Sequence, residues 1–289
     1  MKKKVLILGS NGMLGASLTR YLSRNENIAV YACVRNKENA NIFNDISIRK
    51  ITGLDILNED NLEFTINNIC PDVVINCTGI IKQKKEAKLH INSILINSLY
   101  PHKIAAICDK HNAKLIHFST DCVFSGSEGM YNEDDIPDAK DLYGRSKLLG
   151  EVTYNRHLTI RTSIIGHENK EPVSLVDWFL NQKEVQGYSN AIFSGLPTVY
   201  VAEVLEKHIL FNPLMEGLFN LSVNPIDKYT LLNIIREVYN HECKIKKDIS
   251  FRINRSLDNK KIRALTGYEP IDWYELIGKM YEEYNSYFK

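Results

Sequence analysis

The stretch Val5-Leu6-Ile7-Leu8-Gly9-Ser10-Asn11-Gly12-Met13-Leu14-Gly15 decides the fold. Its first four residues make a short apolar run, the mark of a fully buried strand. After Gly15 an amphipathic pattern continues to about Arg24 and reads as a helix. Strand, glycine turn and helix in that order form a βα unit that can hold a pyrophosphate on the helix N-terminus. Gly9 permits the tight turn, Gly12 lets the backbone approach the phosphates, and Gly15 lets the helix pack closely on the strand. The spacing is GxxGxxG rather than GxGxxG, so taken alone it is a weak sign, and a plain glycine turn would read nearly the same way.

The segments around this unit strengthen it. Residues 28–34, 46–51, 73–76, 114–118 and 158–161 read as further strands, and helical patterns at 59–69 and 91–110 separate most of them. Pro101 lies inside the second helical pattern, so that helix is expected to kink or to be two pieces. Alternating β and α over the first half predicts a doubly wound parallel sheet of the Rossmann type. Ligands then bind at the carboxyl ends of the strands, where residues 9–15, 76–79, 119–121 and 162–166 all emerge. After Gly166 the alternation loosens, with helices expected at 199–211, 228–239 and 274–284. We therefore expect a dinucleotide-binding domain over 1–165, with a later contribution from about 196–222. A smaller mixed substrate lobe would span 166–289.

Composition narrows the partners. The 289 residues carry a net charge of +1, which argues against an extended nucleic-acid surface. No apolar run reaches membrane-spanning length. The run after Lys2-Lys3-Lys4 is strand-length, shorter than the apolar region of a secretory signal. The six cysteines show no CxxC pair and no metal-ligand spacing, which points to a reducing, cytoplasmic setting and to no bound metal. The histidines have no ligand-like spacing either, and Trp178 reads as a core residue.

The chemistry lies in Tyr143-Gly144-Arg145-Ser146-Lys147, which follows Ser119-Thr120-Asp121. Four residues apart on a helix, a phenol and an ammonium share one face. A buried ammonium beside a tyrosine favours the phenolate, so the Tyr143 pKa is expected to fall. Such a tyrosine can exchange a proton with an alcohol or ketone oxygen that the Thr120 hydroxyl holds. A hydride carrier completes the machinery, and the glycine turn supplies its site.

With GSNGMLG at the start, STDCVFSG at 119–126, YNEDDIPDAKDLYGRSKLLGE at 131–151, RTSIIG at 161–166 and FSGLPT at 193–198, the chain resembles the extended short-chain dehydrogenase/reductases. More narrowly it resembles the dTDP-4-dehydrorhamnose reductase family, nearly end to end. The resemblance implies Tyr143 as proton donor, Lys147 lowering its pKa and contacting the nicotinamide ribose, and Thr120 on the substrate carbonyl. It also implies Gly9, Asn11, Gly12, Met13 and Leu14 around the pyrophosphate, and Asn97 supporting the proton relay. Ile56, Cys77, Thr78 and Gly79, after the third and fourth strands, complete the expected cofactor lining.

The cofactor can be read further. The nearest charge at the end of the second strand is Arg35, which can fork onto a 2′-phosphate where an acid would repel it. That favours NADPH over NADH. Asp55 either binds adenine or caps the helix beginning near Glu59.

On the substrate side, Lys82, Asp121, Cys122 and Arg255 are the candidates. Asp121 either orients the substrate or caps the turn after the strand. Arg255 either meets the substrate diphosphate or is a surface arginine before a helix from Asp258. The segment Gly79-Ile80-Ile81-Lys82-Gln83 departs from the rhamnose enzymes, and Cys122 stands where the family has an aromatic. The expected activity is reduction of the 4-keto group of a nucleotide-linked 6-deoxy sugar, dTDP-4-dehydrorhamnose or a UDP-linked 2-acetamido sugar, for surface polysaccharide precursors. Cys122, two residues past Thr120, stands at the offset of the catalytic cysteine in epimerase/reductases resembling GDP-fucose synthase, but His167, in the region of their second acid/base, does not align with their histidine, so Cys122 is read as lining the substrate. An epimerase and a non-catalytic dinucleotide sensor are the competing readings. Related reductases are often homodimers, although no stretch marks an interface.

Overall fold

The computed structural model describes residues 1–80, 89–169 and 174–289. The chain runs β1 (Lys3–Leu8), α1 (Met13–Leu22), β2 (Ile28–Val34), β3 (Arg49–Thr52), α2 (Glu59–Ile69) and β4 (Val73–Asn76). Next come α3 (His90–Ser93), a π-helical stretch over Ile94–Leu99, α4 (Tyr100–Lys110), β5 (Lys114–Thr120), α5 (Leu142–Leu149) and β6 (Leu158–Thr162). The remainder is β7 (Ile164–Ile165), α6 (Leu175–Leu180), β8 (Glu184–Phe193), β9 (Leu196–Pro197), α7 (Thr198–Val204), β10 (Gly217–Asn220), β11 (Ile226–Asp227), α8 (Lys228–Val238), β12 (Lys244–Asn254), α9 (Lys260–Thr266) and α10 (Trp273–Tyr287).

β1 shows why the sheet is buried on both faces. Val5 and Ile7 point into one core with Leu14 and Leu18 of α1, while Leu6 and Leu8 point into a second with Leu62, Ile66 and Ile104. A strand covered on both sides needs apolar residues at every position, which is the run seen in the sequence. The sheet has the order β10-β6-β5-β4-β1-β2-β3, with every pairing parallel. Strand order reverses between β1 and β4, so the binding crevice opens there at the carboxyl ends. A second, mixed sheet of β11-β8-β12 pairs β8 parallel to β12 and antiparallel to β11. Among the described residues no helix is long and apolar enough to cross a membrane.

Three expectations change. The third strand is Arg49–Thr52 rather than 46–51, because β2 offers register partners only to Arg49, Lys50, Ile51 and Thr52. The long helix does divide, but at the π-helical stretch. Pro101 follows that stretch directly, as the second residue of α4, and Leu99 and Tyr100 before it are both helical, so the irregularity falls in the turn that precedes the proline. Trp178 is 42% exposed on α6, and its neighbour Phe179 takes the core position.

Candidate active site

The first loop is built from three glycines with three different reasons. Gly9 has φ +79°, a left-handed conformation that favours glycine. At Gly15 an added Cβ would lie 2.3 Å from the Gly9 carbonyl oxygen, so α1 can approach β1 only without it. Gly12 is different: a Cβ there would meet nothing closer than 3.5 Å, and the residue is exposed. The protein does not fill that space. No side chain caps α1, so the amides of its first turn face a position an anion can take. A dinucleotide pyrophosphate fits this cradle. Asn11 and Met13 are half-buried beside it, and Leu14 is anchored in the core, leaving its backbone to face the loop.

The catalytic candidates meet at the end of β5. Thr120 closes that strand, and its hydroxyl accepts from the Cys122 amide at 3.2 Å and donates to Asp121 Oδ1 at 3.2 Å. Asp141 caps α5 by accepting from the Gly144 amide. The Thr120 hydroxyl also acts on the Tyr143 phenol, favouring its ionised form. Four residues on, the Lys147 ammonium donates to the Phe118 carbonyl oxygen at 2.6 Å. Burial lowers the Lys147 pKa to about 8, against the opposing pull of Glu151.

The Tyr143 expectation is corrected here. Its pKa is raised, chiefly because the phenol is buried, with Cys122, Asp121 and Asp141 adding to the rise and Thr120 opposing it. Lys147 is turned to the Phe118 carbonyl instead. The resting phenol is therefore protonated, the form a proton donor needs.

Close packing holds this constellation. A Cβ on Gly144 would lie 2.2 Å from the Cys122 carbonyl oxygen, and one on Gly150 would lie 1.9 Å from that of Asn97. The two glycines let α5 press against the Thr120 turn at one end and the π-helical stretch at the other. Asn97 accepts from the Ile80 amide and donates to the Ile80 carbonyl and to Ser146 Oγ. Gly79 lies close by, its ideal Cβ position 4.0 Å from Lys147 Nζ. Thr78 donates from its amide and hydroxyl to Asn76, which fixes the loop after β4, and Cys77 is half-buried with its thiol pKa raised by burial.

At the expected adenosine end, Arg35 is exposed just past β2, and its carbonyl accepts from the Gly53 amide. Asn58, not Asp55, caps α2. Asp55 instead accepts from the Leu57 amide within a tight turn, next to buried Ile56.

The substrate side is partly assembled. Asp121 is buried and its pKa is raised by burial, while Arg255 and Lys228 pull it down. The Cys122 thiol is pushed up to about 12 by burial and by Asp121. Arg255 is no surface residue: it donates to the Phe124 carbonyl at 2.9 Å and lies 3.6 Å from Cys122 Sγ. It arrives there because segment 254–258 pairs with the loop after β5, through Asn254 to Gly126 and Asp258 to Tyr131. Lys82 lies outside the described residues. His167 is buried between Asp177 at 2.5 Å and Tyr239 at 2.8 Å, held there as a structural residue.

Sequence reasoning missed two parts of the site. Glu151 takes a bidentate, buried pair from Arg161 at 2.8 Å and a bond from Ser119 at 2.7 Å, tying α5 to β5 and β6. The YGRSKLLGE stretch contained it without assigning a role. Lys228 opens α8 with its ammonium 3.8 Å from the centre of the Phe193 ring. Its signal was a cation in the first turn of a helix, where the macrodipole disfavours it.

Comparison with known proteins agrees with this architecture. Residues 2–187 match the RmlD substrate binding domain. The spore coat polysaccharide biosynthesis protein SpsK of Bacillus subtilis is 30% identical over 227 residues, covering 76% of this chain and 73% of that one. The dTDP-4-dehydrorhamnose reductase of Aggregatibacter actinomycetemcomitans is 24% identical over 302 residues, covering 93% and 95%. The crystal structure of dTDP-4-dehydrorhamnose reductase from Bacillus anthracis in complex with NADP superposes with a TM-score of 0.80 at 22% identity, covering 98% and 99%. The chain belongs to the RmlD substrate binding domain family of extended short-chain dehydrogenase/reductases.

Proposed function

We propose that this enzyme uses NADPH to reduce the 4-keto group of a nucleotide-linked 6-deoxy sugar, for the assembly of surface polysaccharide. The observation that carries the reading is the meeting of Thr120, Tyr143 and Lys147 at the end of β5, beside the open glycine cradle. The relatives named as reductases and as a polysaccharide biosynthesis protein support the same reaction class.

The α1 N-terminus with Gly12 would hold the pyrophosphate, Arg35 the 2′-phosphate, and the loop of Cys77, Thr78 and Gly79 would line the nicotinamide side. When bound, the reduced dinucleotide supplies the hydride. Thr120 and Tyr143 hold the substrate oxygen by hydrogen bonds that strengthen as negative charge develops on it. Tyr143, protonated at rest, gives that oxygen its proton, so hydride and proton together turn ketone into alcohol. Lys147, four residues along the same helix and held at the Phe118 carbonyl, adds a positive charge to the site that opposes the negative charge left on Tyr143. Buried Glu151 holds the helix that carries both residues. The lobe boundaries near residue 165, with β10 returning to the main sheet, divide cofactor from substrate, and the setting is the cytoplasm.

The test is NADPH oxidation followed at 340 nm, with 4-keto-6-deoxy sugars made in situ from dTDP-glucose, UDP-N-acetylglucosamine and GDP-mannose. Turnover of one of them, much slower with NADH, supports the reading. Silence across the panel in a protein that binds NADPH removes it.

A further inference from the structure

Two cations from the second half of the chain converge on the turn that follows Thr120. Arg255 reaches Cys122 and the Phe124 carbonyl. Lys228 lies over the Phe193 ring, which orients its ammonium through the negative face of the aromatic. Among the described residues Lys228 has no hydrogen bond and no ion pair. It is half-buried, and burial lowers its pKa to about 8, with Asp121 and Cys122 the groups acting against that fall.

Three features mark Lys228 as more than a packing residue. The Phe193 ring is the ammonium's close partner, and no carboxylate or hydrogen-bond acceptor among the described residues replaces the water lost on burial, so the position costs stability. It occupies the first turn of α8, the end of a helix that repels cations. Places where a local rule fails without local compensation are those expected to serve function. The charge balance points the same way. Both cations act on the Asp121 carboxylate, and the Cys122 thiol, raised to about 12, is neutral at working pH. Two cations against one carboxylate leave a positive charge that an incoming anion can match.

Resting on the proposed sugar nucleotide substrate, we propose that Lys228 is a substrate-positioning residue whose ammonium, together with Arg255, binds the diphosphate joining sugar to nucleoside. The diphosphate is the anionic group that every sugar nucleotide carries. With the keto oxygen between Thr120 and Tyr143, it lies one pyranose ring from the reacting carbon. Lys228 and Arg255, which act on Asp121 and Cys122 just after Thr120, are placed to hold it and so to set how far the sugar reaches in. The Phe193 ring keeps the lysine stem from collapsing into the site before substrate arrives.

The experiment is titration calorimetry with dTDP, UDP and GDP, in the presence of NADP, on the wild-type protein, Lys228→Ala and Lys228→Arg. One diphosphate is expected to bind. Lys228→Ala should weaken it about 10- to 100-fold, the range for losing a charged hydrogen bond. Lys228→Arg should recover most of that loss. NADP affinity and affinity for the parent nucleoside should stay as in the wild type, which a merely structural role would not spare. Should the alanine variant fail to fold, Lys228→Met keeps the stem against Phe193 and serves instead. Wild-type diphosphate affinity in the variant overturns the proposal, as does equal weakening of NADP or nucleoside. Absence of any diphosphate binding in the wild-type protein overturns it even where a ketosugar is reduced. Lys228-dependent diphosphate binding in a protein that reduces no ketosugar keeps the site and removes the reductase reading.

Discussion

The Lys147 ammonium donates to the Phe118 carbonyl oxygen at 2.6 Å, so the side chain expected to serve the tyrosine also ties α5 to β5. Its charge is held inside the protein by one carbonyl and by the more distant Glu151. Burial wins over both and brings the pKa to about 8.

That shift sets the pH behaviour. The reaction needs the ammonium, so kcat/KM should fall as pH rises through about 8. Stability moves oppositely. Lys147 and Lys228 bind protons more weakly in the folded protein than in the unfolded chain, where lysine titrates near ~10.4. Between those values the unfolded state binds more protons at these two positions, so their contribution to stability rises with pH across the window. The buried thiols of Cys33, Cys77, Cys108 and Cys122, raised by burial, act the other way above the usual thiol range. The lysine contribution is therefore read as the difference between the melting curves of the dinucleotide-free wild type and Lys147→Met, which should shift in favour of the wild type as pH rises through the window. A rate that holds level to pH 10 would reject the role of Lys147.

Tyr143→Phe keeps the ring in its packing site and removes the proton. Turnover should drop roughly 10²- to 10⁴-fold with NADPH binding intact. Full turnover in that variant would exclude Tyr143 as the acid.

The glycine loop separates binding from folding. Gly12→Ala has room in the protein, so its melting temperature should stay near wild type while NADPH affinity falls. Gly15→Ala and Gly144→Ala each drive a methyl group to within 2.3 Å of a backbone oxygen, which costs about 1–3 kcal/mol or more. Urea denaturation beside dinucleotide titration distinguishes the two classes.

Glu151 should affect both stability and pH profile. Glu151→Ala leaves Arg161 buried without its partner, at a cost of about 3–5 kcal/mol. Glu151 also raises the Lys147 pKa, so in the milder Glu151→Gln the alkaline fall in kcat/KM should begin at lower pH. An unmoved profile would show that the two charges do not communicate.

Arg35→Asp should exchange the cofactor preference. An acid at that position accepts a ribose hydroxyl and repels a 2′-phosphate. The ratio of kcat/KM for NADPH over NADH should fall by at least about 10-fold. An unchanged ratio would make Arg35 a solvated strand end.

The dinucleotide half was legible because its rules are local. A strand buried on both faces writes an uninterrupted apolar run, as in Val5–Leu8. Gly9 and Gly15 are demanded by a turn and a contact a few residues away. Tyr143 and Lys147 share a helix face by spacing alone. What only the tertiary structure decided depends on residues distant in sequence. The Tyr143 pKa rises because Asp121, Cys122 and burial act on it while Lys147 turns to Phe118, a balance no spacing encodes. Arg255 lies against Cys122 because segment 254–258 pairs with the loop after β5. Lys228 of α8 lies over Phe193 at the end of β8, and Glu151 after α5 meets Arg161 of β6, pairings that no local spacing announces. The scaffold and the pairing of Tyr143 with Lys147 on one helix follow from short-range periodicity and sterics. The charges gathered beyond the end of β5 follow from long-range packing, which brings Arg255 and Lys228 to act on Asp121, more than a hundred residues earlier in the chain.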